Sequence, residues 1–399
     1  MKQEINLIVK PEFIKTYQEG YPLISKESIA NWGKVSDEGV VLNLVDAKGK
    51  FILKGYHGIQ NKGYGWVLSL KKDEKIDANY FSKKFKTAVA YRKEFFSDTD
   101  TTAFRLFNGE GDGVGGLTID HFDGFYLLTW YSLGIYEFKS EILEALQSSI
   151  EYKGIYQKKR FDSKGKYLDE KDDFVCGEKA DAPILVKENG VNFAIYLDDG
   201  AMVGVFLDQR DVRKTIRDKY AQGKTVFNAF SYTGAFSVFA AMGGAKRTTS
   251  VDLAKRSLPK TKEQFTINGI DAQSQEIVVE DVFNYFKYAL KKNLLFDLVV
   301  LDPPSFARSK KRTFSASKDY VNLLKEAIQI TKKGGIIVAS TNSANFSMMT
   351  FSDFIAKAFK ELKGKYEVKE RFSLPKDFRV LESFKEGNYL KVVFIKKLK

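Results

Sequence analysis

Over the first 75 residues, apolar positions come in short stretches broken by Gly and Asp. Residues 40–45 and 50–54 read as strands joined by the tight-turn sequence Asp46-Ala47-Lys48-Gly49, and 64–70 as another strand. Short strands punctuated in this way predict a small β-barrel, with the charged run 71–75 as a break. From Asp77 the period changes. Ile76, Tyr80, Phe81, Phe85, Val89 and Ala90 recur at helical spacing and predict a helix to about residue 96. Strands at 104–107 and 117–120 flank a loop with glycines at 109, 111, 113, 115 and 116; a strand at 125–130 and an amphipathic helix at 137–150 follow. Residues 151–171 are charge-rich and read as a surface loop or hairpin. Asn189-Gly190, between apolar runs at 184–187 and 191–197, predicts a hairpin.

From Thr225 the chain alternates strand and helix. Strands are expected at 225–230, 248–252, 276–280, 296–302 and 336–341, with helices near 235–242, 254–268, 282–292 and 318–332. Successive β–α steps with apolar strands imply a parallel sheet covered on both faces. Residues 366–372 and 389–395 have only a loop between them, so they read as an antiparallel pair closing one edge.

The 399 residues allow two to three domains, and Lys+Arg 64 against Asp+Glu 51 leaves a net charge of +13. A balance of that size favours a polyanionic partner such as nucleic acid. One cysteine, Cys176, excludes an internal disulfide framework and any multi-cysteine zinc or iron–sulfur site. Two histidines, His57 and His121, exclude a His-rich metal site and argue against Ser-His-Asp hydrolysis. No apolar run approaches the ~20 residues of a membrane span, and the start lacks a signal-peptide core. The expectation is a soluble cytoplasmic protein with no metal and no membrane.

In an open parallel sheet the ligand lies beyond the carboxyl ends of the strands. After the first strand come Asn228, Phe230, Tyr232, Thr233 and Gly234, opening a helix. The second ends in Asp252, followed by Leu253 and Ala254. Lying 18 residues after Gly234, Asp252 is placed to accept hydrogen bonds from ribose hydroxyls. The third ends at Glu280-Asp281, followed by Val282, where a side chain can reach an adenine amine. The fourth ends in Asp302-Pro303-Pro304-Ser305-Phe306. Each feature also has a plain structural reading: Gly234 as a tight turn, Asp252 and Asp281 as helix N-caps, the prolines as a rigid strand exit. Yet two prolines remove two amide donors and cap nothing, and they leave carbonyls and a carboxylate free to accept from an amine. A nicotinamide enzyme would show the three-glycine fingerprint. A nucleoside cofactor without a pyrophosphate needs fewer glycines. S-adenosylmethionine fits, with its ribose at Asp252, adenine at Asp281 and methionine end near residues 230–234.

The segments GDGVGGLTIDHFDG (111–124), VFLDQRDVR (205–213), FNAFSYTGAFSVFAAMGGA (227–245), LDPPSF (301–306) and GNYLKVVF (387–394) give the chain a specific likeness. It resembles the bacterial large-subunit ribosomal RNA methyltransferase I family, class I enzymes that use S-adenosylmethionine to methylate bases of 23S RNA. The resemblance implies an α/β protein: an N-terminal PUA-like RNA-binding β-barrel (1–73), a central α/β domain (74–185) and a Rossmann-like class I methyltransferase domain with a seven-stranded mixed sheet (186–399). It places Phe206, Leu207, Asp208, Gln209 and Arg210 beside the cofactor, with S-adenosylhomocysteine as product and ribosomal RNA as partner; a homodimer stays open as the assembly. From the residues alone, Asp208 reads as an N-cap for a helix at 212–220 and Arg210 as solvated.

One position departs from the family pattern. Members that make 5-methylcytosine add a cysteine thiolate to the pyrimidine ring, because C5 is not nucleophilic by itself. The matching turn here is Ser340-Thr341-Asn342-Ser343, with Asn342 in the cysteine's place. With one residue inserted, Ser305, the Asp302–Phe306 segment is also similar to the Asp/Asn-Pro-Pro-aromatic motif of enzymes that methylate base nitrogens. Asp302, Pro303, Phe306 and Asn342 are therefore the expected catalytic residues, with Asp302 also at the cofactor and Phe306 stacking on a flipped base. Guanine N7 or N2 methylation, a non-catalytic assembly factor that binds the cofactor, and a nicotinamide oxidoreductase are the alternatives. Arg308, Lys310, Lys311 and Arg312 follow the base site directly, where a phosphate backbone would lie. Lys158, Lys159, Arg160, Lys164 and Lys166 form a second basic stretch, equally readable as a solvated loop.

Overall fold

The computed structural model describes residues 3–35, 37–60, 63–163, 166–167, 173–200, 202–308 and 313–399. The chain forms two compact units. One comprises Met1–Val186, Tyr196–Val203 and Lys376–Gly387; the other Lys187–Ile195, Gly204–Pro375 and Asn388–Lys399.

The first unit contains two five-stranded sheets. In the first, the strand order is Glu4–Ile8, Val41–Val45, Phe51–Gln60, Gly63–Ser69, Leu23–Ile24. Leu7, Ile24, Leu42, Leu44 and Leu53 fill its interior. The apolar pattern missed its first strand and the helix Pro11–Gln18. It also cut the third strand short, because Gly55 and Gly58 interrupt the alternation. Gly55 is there for clearance: a Cβ on it would lie 2.6 Å from the Trp66 carbonyl oxygen. The second sheet runs Phe174–Gly177, Gly154–Lys159, Phe125–Trp130, Leu117–Phe122, Ala103–Asn108. Residues 154–159, expected in a surface loop or hairpin, thus form an interior strand, parallel to Phe125–Trp130. Lys158 is only 5% exposed and pairs with Asp173, so it is no solvated cation. Lys164 lies outside the described residues.

The helix expected to reach residue 96 spans Ala78–Tyr91 and resumes for one turn at Lys93–Phe96. Arg92 is the break. Fully buried, it forks onto both carboxylate oxygens of Asp112 (3.1 and 2.7 Å) and onto the Asp377 carbonyl (2.9 and 2.6 Å). A buried guanidinium needs such partners, and reaching them takes precedence over helical geometry.

The second unit is built on a seven-stranded sheet of β1 (Thr225–Ala229), β2 (Arg247–Asp252), β3 (Glu276–Val279), β4 (Phe296–Leu301), β5 (Thr331–Thr341), β6 (Tyr366–Phe372) and β7 (Lys391–Lys397). The spatial order is β3-β2-β1-β4-β5-β7-β6. The first five strands are parallel; β7 runs antiparallel between β5 and β6. Helices α1 (Ala235–Met242), α2 (Ser257–Thr266), α3 (Val282–Lys291), α4 (Ala316–Ile330) and α5 (Met348–Glu361) cover it. Phe227, Val299, Leu301, Ile337 and Ala339 pack under α3 and α4, while Val226, Leu298, Val300 and Val338 face the layer of Val212, Phe236 and Ala240. Strands buried on both faces are why 296–301 reads FDLVVL, with no alternation. This topology puts the ends of β1 to β5 at one edge, and the order reverses between β1 and β4.

Candidate active site

At the end of β1 the backbone turns through three left-handed residues: Phe230 (φ 58°), Tyr232 (φ 51°) and Gly234 (φ 77°). For residues with a Cβ this costs roughly 1–2 kcal/mol each, and such conformations cluster at ligand sites. The turn is over-determined by bonds from Gly234 N to Ser231 O (2.7 Å), from Ser231 N to Val251 O (3.1 Å) and from Tyr232 N to Asp252 Oδ2 (2.9 Å). A Cβ on Gly234 would meet Thr261 Cγ2 at 2.5 Å. Thr233 is buried and donates to the Gly204 carbonyl (2.7 Å). Asn228 is fully buried. Its amide donates to Ser237 (3.0 Å), whose hydroxyl meets that of Ser250 (2.7 Å), while its Oδ1 has no partner among the described residues.

Asp252, half-buried, accepts one backbone amide on each oxygen: Ala254 N at 2.8 Å and Tyr232 N at 2.9 Å. Each oxygen keeps a lone pair. Leu253 beside it is 57% exposed. Asp281 caps α3 through Oδ1, to Phe283 N (2.9 Å) and Asn284 N (3.3 Å), and keeps Oδ2 unused among the described residues. Val282 is buried behind it.

Beyond β4, Gln209 Nε2 bridges Asp302 Oδ1 (3.0 Å) and Ser340 Oγ (2.7 Å), and the Tyr320 hydroxyl donates to the Ser340 carbonyl (2.5 Å). Burial pushes Asp302 up to about 6. The charge of Asp208 adds to the rise; hydrogen bonds from Ser340 and Gln209 and the charge of Arg213 oppose it. Pro303 is buried, Pro304 exposed, and Phe306 is 64% exposed. The Ser305 hydroxyl donates to Asn342 Oδ1 at 2.5 Å. Asn342 therefore lies against the Asp-Pro-Pro loop, and among the described residues its amide group is left to donate. Of the basic stretch, Lys310, Lys311, Arg312 and the side chain of Arg308 lie outside the described residues.

The segment before β1 differs from its sequence reading. Leu207–Gln209 is a 3₁₀ turn leading into the helix Arg210–Thr215. Asp208 is not the N-cap; it accepts the Tyr389 hydroxyl (2.9 Å). Arg210 is 4% exposed rather than solvated, and Phe206 is 48% exposed with its ring against Tyr232. Arg213 forks onto buried Glu188 with two bonds of 2.7 Å and donates to the Phe206 carbonyl (2.7 Å). Lys391, at the start of β7, donates to the carbonyls of Ser343 and Tyr389 (both 2.9 Å). One short stretch, Tyr389 to Lys391, thus ties the Asp208 turn to the Asn342 turn. From sequence, Glu188 and Tyr320 have no site role, and Ser305, Ser340, Tyr389 and Lys391 count only as members of their motifs, because a hydrogen-bonded pair or strut has no periodicity. Arg213→Met should lower stability by about 3–5 kcal/mol by stranding Glu188, read by urea unfolding; a loss below 1 kcal/mol would contradict the pairing.

A parallel sheet of this order, closed by an antiparallel pair, with an acid ending β2 and Asp-Pro-Pro ending β4, defines a Rossmann-like class I methyltransferase. The chain belongs to the S-adenosylmethionine-dependent methyltransferase family, whose profile matches residues 104–384; residues 7–70 match a PUA-like domain. YwbD of Bacillus subtilis (strain 168), which carries the name of a ribosomal RNA large subunit methyltransferase, is 56% identical over 393 residues, 98% of this chain and 99% of its own. Ribosomal RNA large subunit methyltransferase I of Alteromonas mediterranea is 30% identical over 385 residues, 96% of this chain and 97% of its own. A crystal structure named for a methyltransferase complexed with SAH matches with a TM-score of 0.90 at 39% identity, covering 99% of this chain and 100% of that one. These findings do not favour the nicotinamide alternative.

The cofactor is S-adenosylmethionine, and the strand-end residues fit it. Among the described residues, Gln209 Oε1, Asn228 Oδ1 and Ser231 Oγ are buried without partners, Asp252 has acceptor capacity left, and Leu253 and Phe206 offer apolar faces to a purine or thioether. Among the described residues, no group of three or more His, Cys, Asp or Glu could hold a metal, and no helix is long and apolar enough to cross a membrane.

Proposed function

We propose that this enzyme methylates a base of large-subunit ribosomal RNA in the cytoplasm, at a nitrogen rather than at cytosine C5. The observation that carries the reading is Asn342 hydrogen-bonded to Ser305 of the Asp-Pro-Pro loop. A side chain without a thiol stands in the place a C5 adduct would need, and Cys176 belongs to the other unit. The names of the two curated relatives supply the RNA.

Bound S-adenosylmethionine supplies an electrophilic methyl group. Asp252 accepts from the ribose hydroxyls and Asp281 from the adenine amine, while Phe206, Leu207, Arg210 and the 228–234 turn enclose the rest. Leu253, Ala254 and Val282 line the adenine side. Asp302, ionised above about pH 6, accepts a hydrogen bond from the target base together with the Pro303 carbonyl, and takes a proton where the nitrogen must lose one. Phe306 stacks on the base, and Asn342 Nδ2 donates to an acceptor on its edge. Arg308, Lys310, Lys311 and Arg312 contact the flanking phosphates. In the same reading, 1–73 is the RNA-binding barrel, 74–185 the central domain and 186–399 the catalytic domain.

RNA carrying 5-fluorocytosine tests the nitrogen assignment, since trapping on it requires a covalent adduct at C6. No covalent protein–RNA band is expected. A band that disappears in Cys176→Ser would restore the C5 assignment.

A further inference from the structure

Lys84, on the helix Ala78–Tyr91 of the first unit, is a half-buried cation with no hydrogen-bond acceptor among the described residues. Burial, and the charge of Arg379, hold its ammonium below the usual lysine range against the attraction of Glu74 and Asp112. Its Nζ faces the glycine loop: a Cβ on Gly113 would lie 2.7 Å from it, and Gly113 has φ 89°. The loop is thus bare of side chains where the ammonium sits. Arg379 is also poorly compensated. Its anionic neighbour is Asp112, at 3.9 Å. Asp112 is already consumed by the Arg92 fork and by the amide of Asn108 at 2.7 Å.

Seven residues after Lys84, and so on the same helix face, comes Tyr91, 40% exposed. The Arg379 guanidinium lies 5.3 Å from its ring centroid, and Arg92 lies 5.1 Å from it. The same helix carries exposed Lys83 and Lys86 and no acidic residue. Lys84 lies 5.4 Å over the Tyr80 ring, and Arg379, 40% exposed, reaches Asp112 at 3.9 Å. Among the described residues neither has a hydrogen-bonded carboxylate, and two such cations beside an exposed aromatic ring match a phosphate with a base next to it.

We propose that Lys84 and Arg379 form a phosphodiester-binding site on the first unit, with Tyr91 as the stacking face beside it, and that it holds a strand of the RNA substrate. The inference rests on the ribosomal RNA reading for the identity of that strand. It is independent of every residue in the methyltransferase site.

The test is the salt dependence of binding to protein-free large-subunit ribosomal RNA. Lys84→Met with Arg379→Met is compared with the wild type and with a control of equal charge change, Lys357→Met with Lys360→Met. Loss of two single-strand phosphate contacts should flatten the slope of log K against log salt by about 1.4. The control should keep the wild-type slope, and Tyr91→Ala should weaken binding at every salt concentration without changing it. Thermal midpoint and S-adenosylhomocysteine affinity report whether the variants are folded. A wild-type slope in the double variant, equal flattening in the control, or no RNA binding by the wild type overturns the proposal. Methyl transfer to the same RNA is measured alongside: transfer with an unchanged slope refutes this site alone, and a changed slope without transfer refutes the substrate reading alone.

Discussion

Asp302→Asn will abolish most methyl transfer, by about 100- to 10,000-fold for loss of a positioned proton acceptor, while S-adenosylhomocysteine still binds. The variant will also be more stable than the wild type at neutral pH. The Asp302 carboxyl titrates near 6 in the folded protein against an ordinary 3.8. Between those values the unfolded chain has released its proton and the folded chain still holds it. Stability therefore falls as pH rises through the window, and the loss is complete above about pH 6. Asparagine removes the titration and should recover about 2–3 kcal/mol at pH 7.5, seen as a higher thermal midpoint that shrinks toward the wild-type value near pH 4. In the wild type, the rate should fall as pH drops below about 6. A stable, inactive variant is the expected signature of a carboxylate kept in a costly place for its chemistry. An unstable one would make Asp302 structural.

The second large effect is on the cofactor. Asp252→Ala should weaken S-adenosylmethionine binding by about 1.5–3 kcal/mol, the range for hydrogen bonds to a charged group. It also removes the acceptor for the amides of Tyr232 and Ala254, so the strained 230–234 turn loses a support. Asp252→Asn separates the two effects: its one carbonyl can serve either an amide or a hydroxyl, and an intermediate loss is expected. Calorimetric titration reads both variants, and unchanged affinity in Asp252→Ala would move the ribose site elsewhere.

The centre of the methyltransferase sheet was legible because β4 and the second half of β5 are buried on both faces, so 298–301 and 336–339 read as apolar runs followed by a polar residue, whereas β2 (RTTSVD) and the half-exposed edge strand β3 were placed by the strand–helix alternation. The strand ends, Asp252 and Asp302, could be found by position alone. The first 40 residues were opaque for the opposite reason. Glu4–Ile8 is a half-exposed strand with the burial of a surface segment, and Pro11–Gln18 is too short to establish a helical period. Arg92 broke a predicted helix because a tertiary partner, 285 residues away at Asp377, outweighs local propensity. Arg210 was read as solvated, and Lys158 as equally a solvated or an RNA-contacting cation, from charge alone, whereas burial of a cation depends on partners distant in sequence. The same holds for the Tyr389–Lys391 strut. It joins Asp208 to Ser343 through hydrogen bonds between residues 181 and 48 positions apart, which no local pattern encodes.

The central claim, that this enzyme places a methyl group on a base nitrogen of ribosomal RNA, is tested most directly by product analysis. Large-subunit ribosomal RNA from cells lacking the enzyme is incubated with the protein and methyl-labelled S-adenosylmethionine, digested to nucleosides and separated by mass spectrometry. The expected result is label in a single N-methylated base, absent with Asp302→Asn. Label in 5-methylcytidine or in a 2′-O-methylated nucleoside, or no label in any nucleoside, would contradict it.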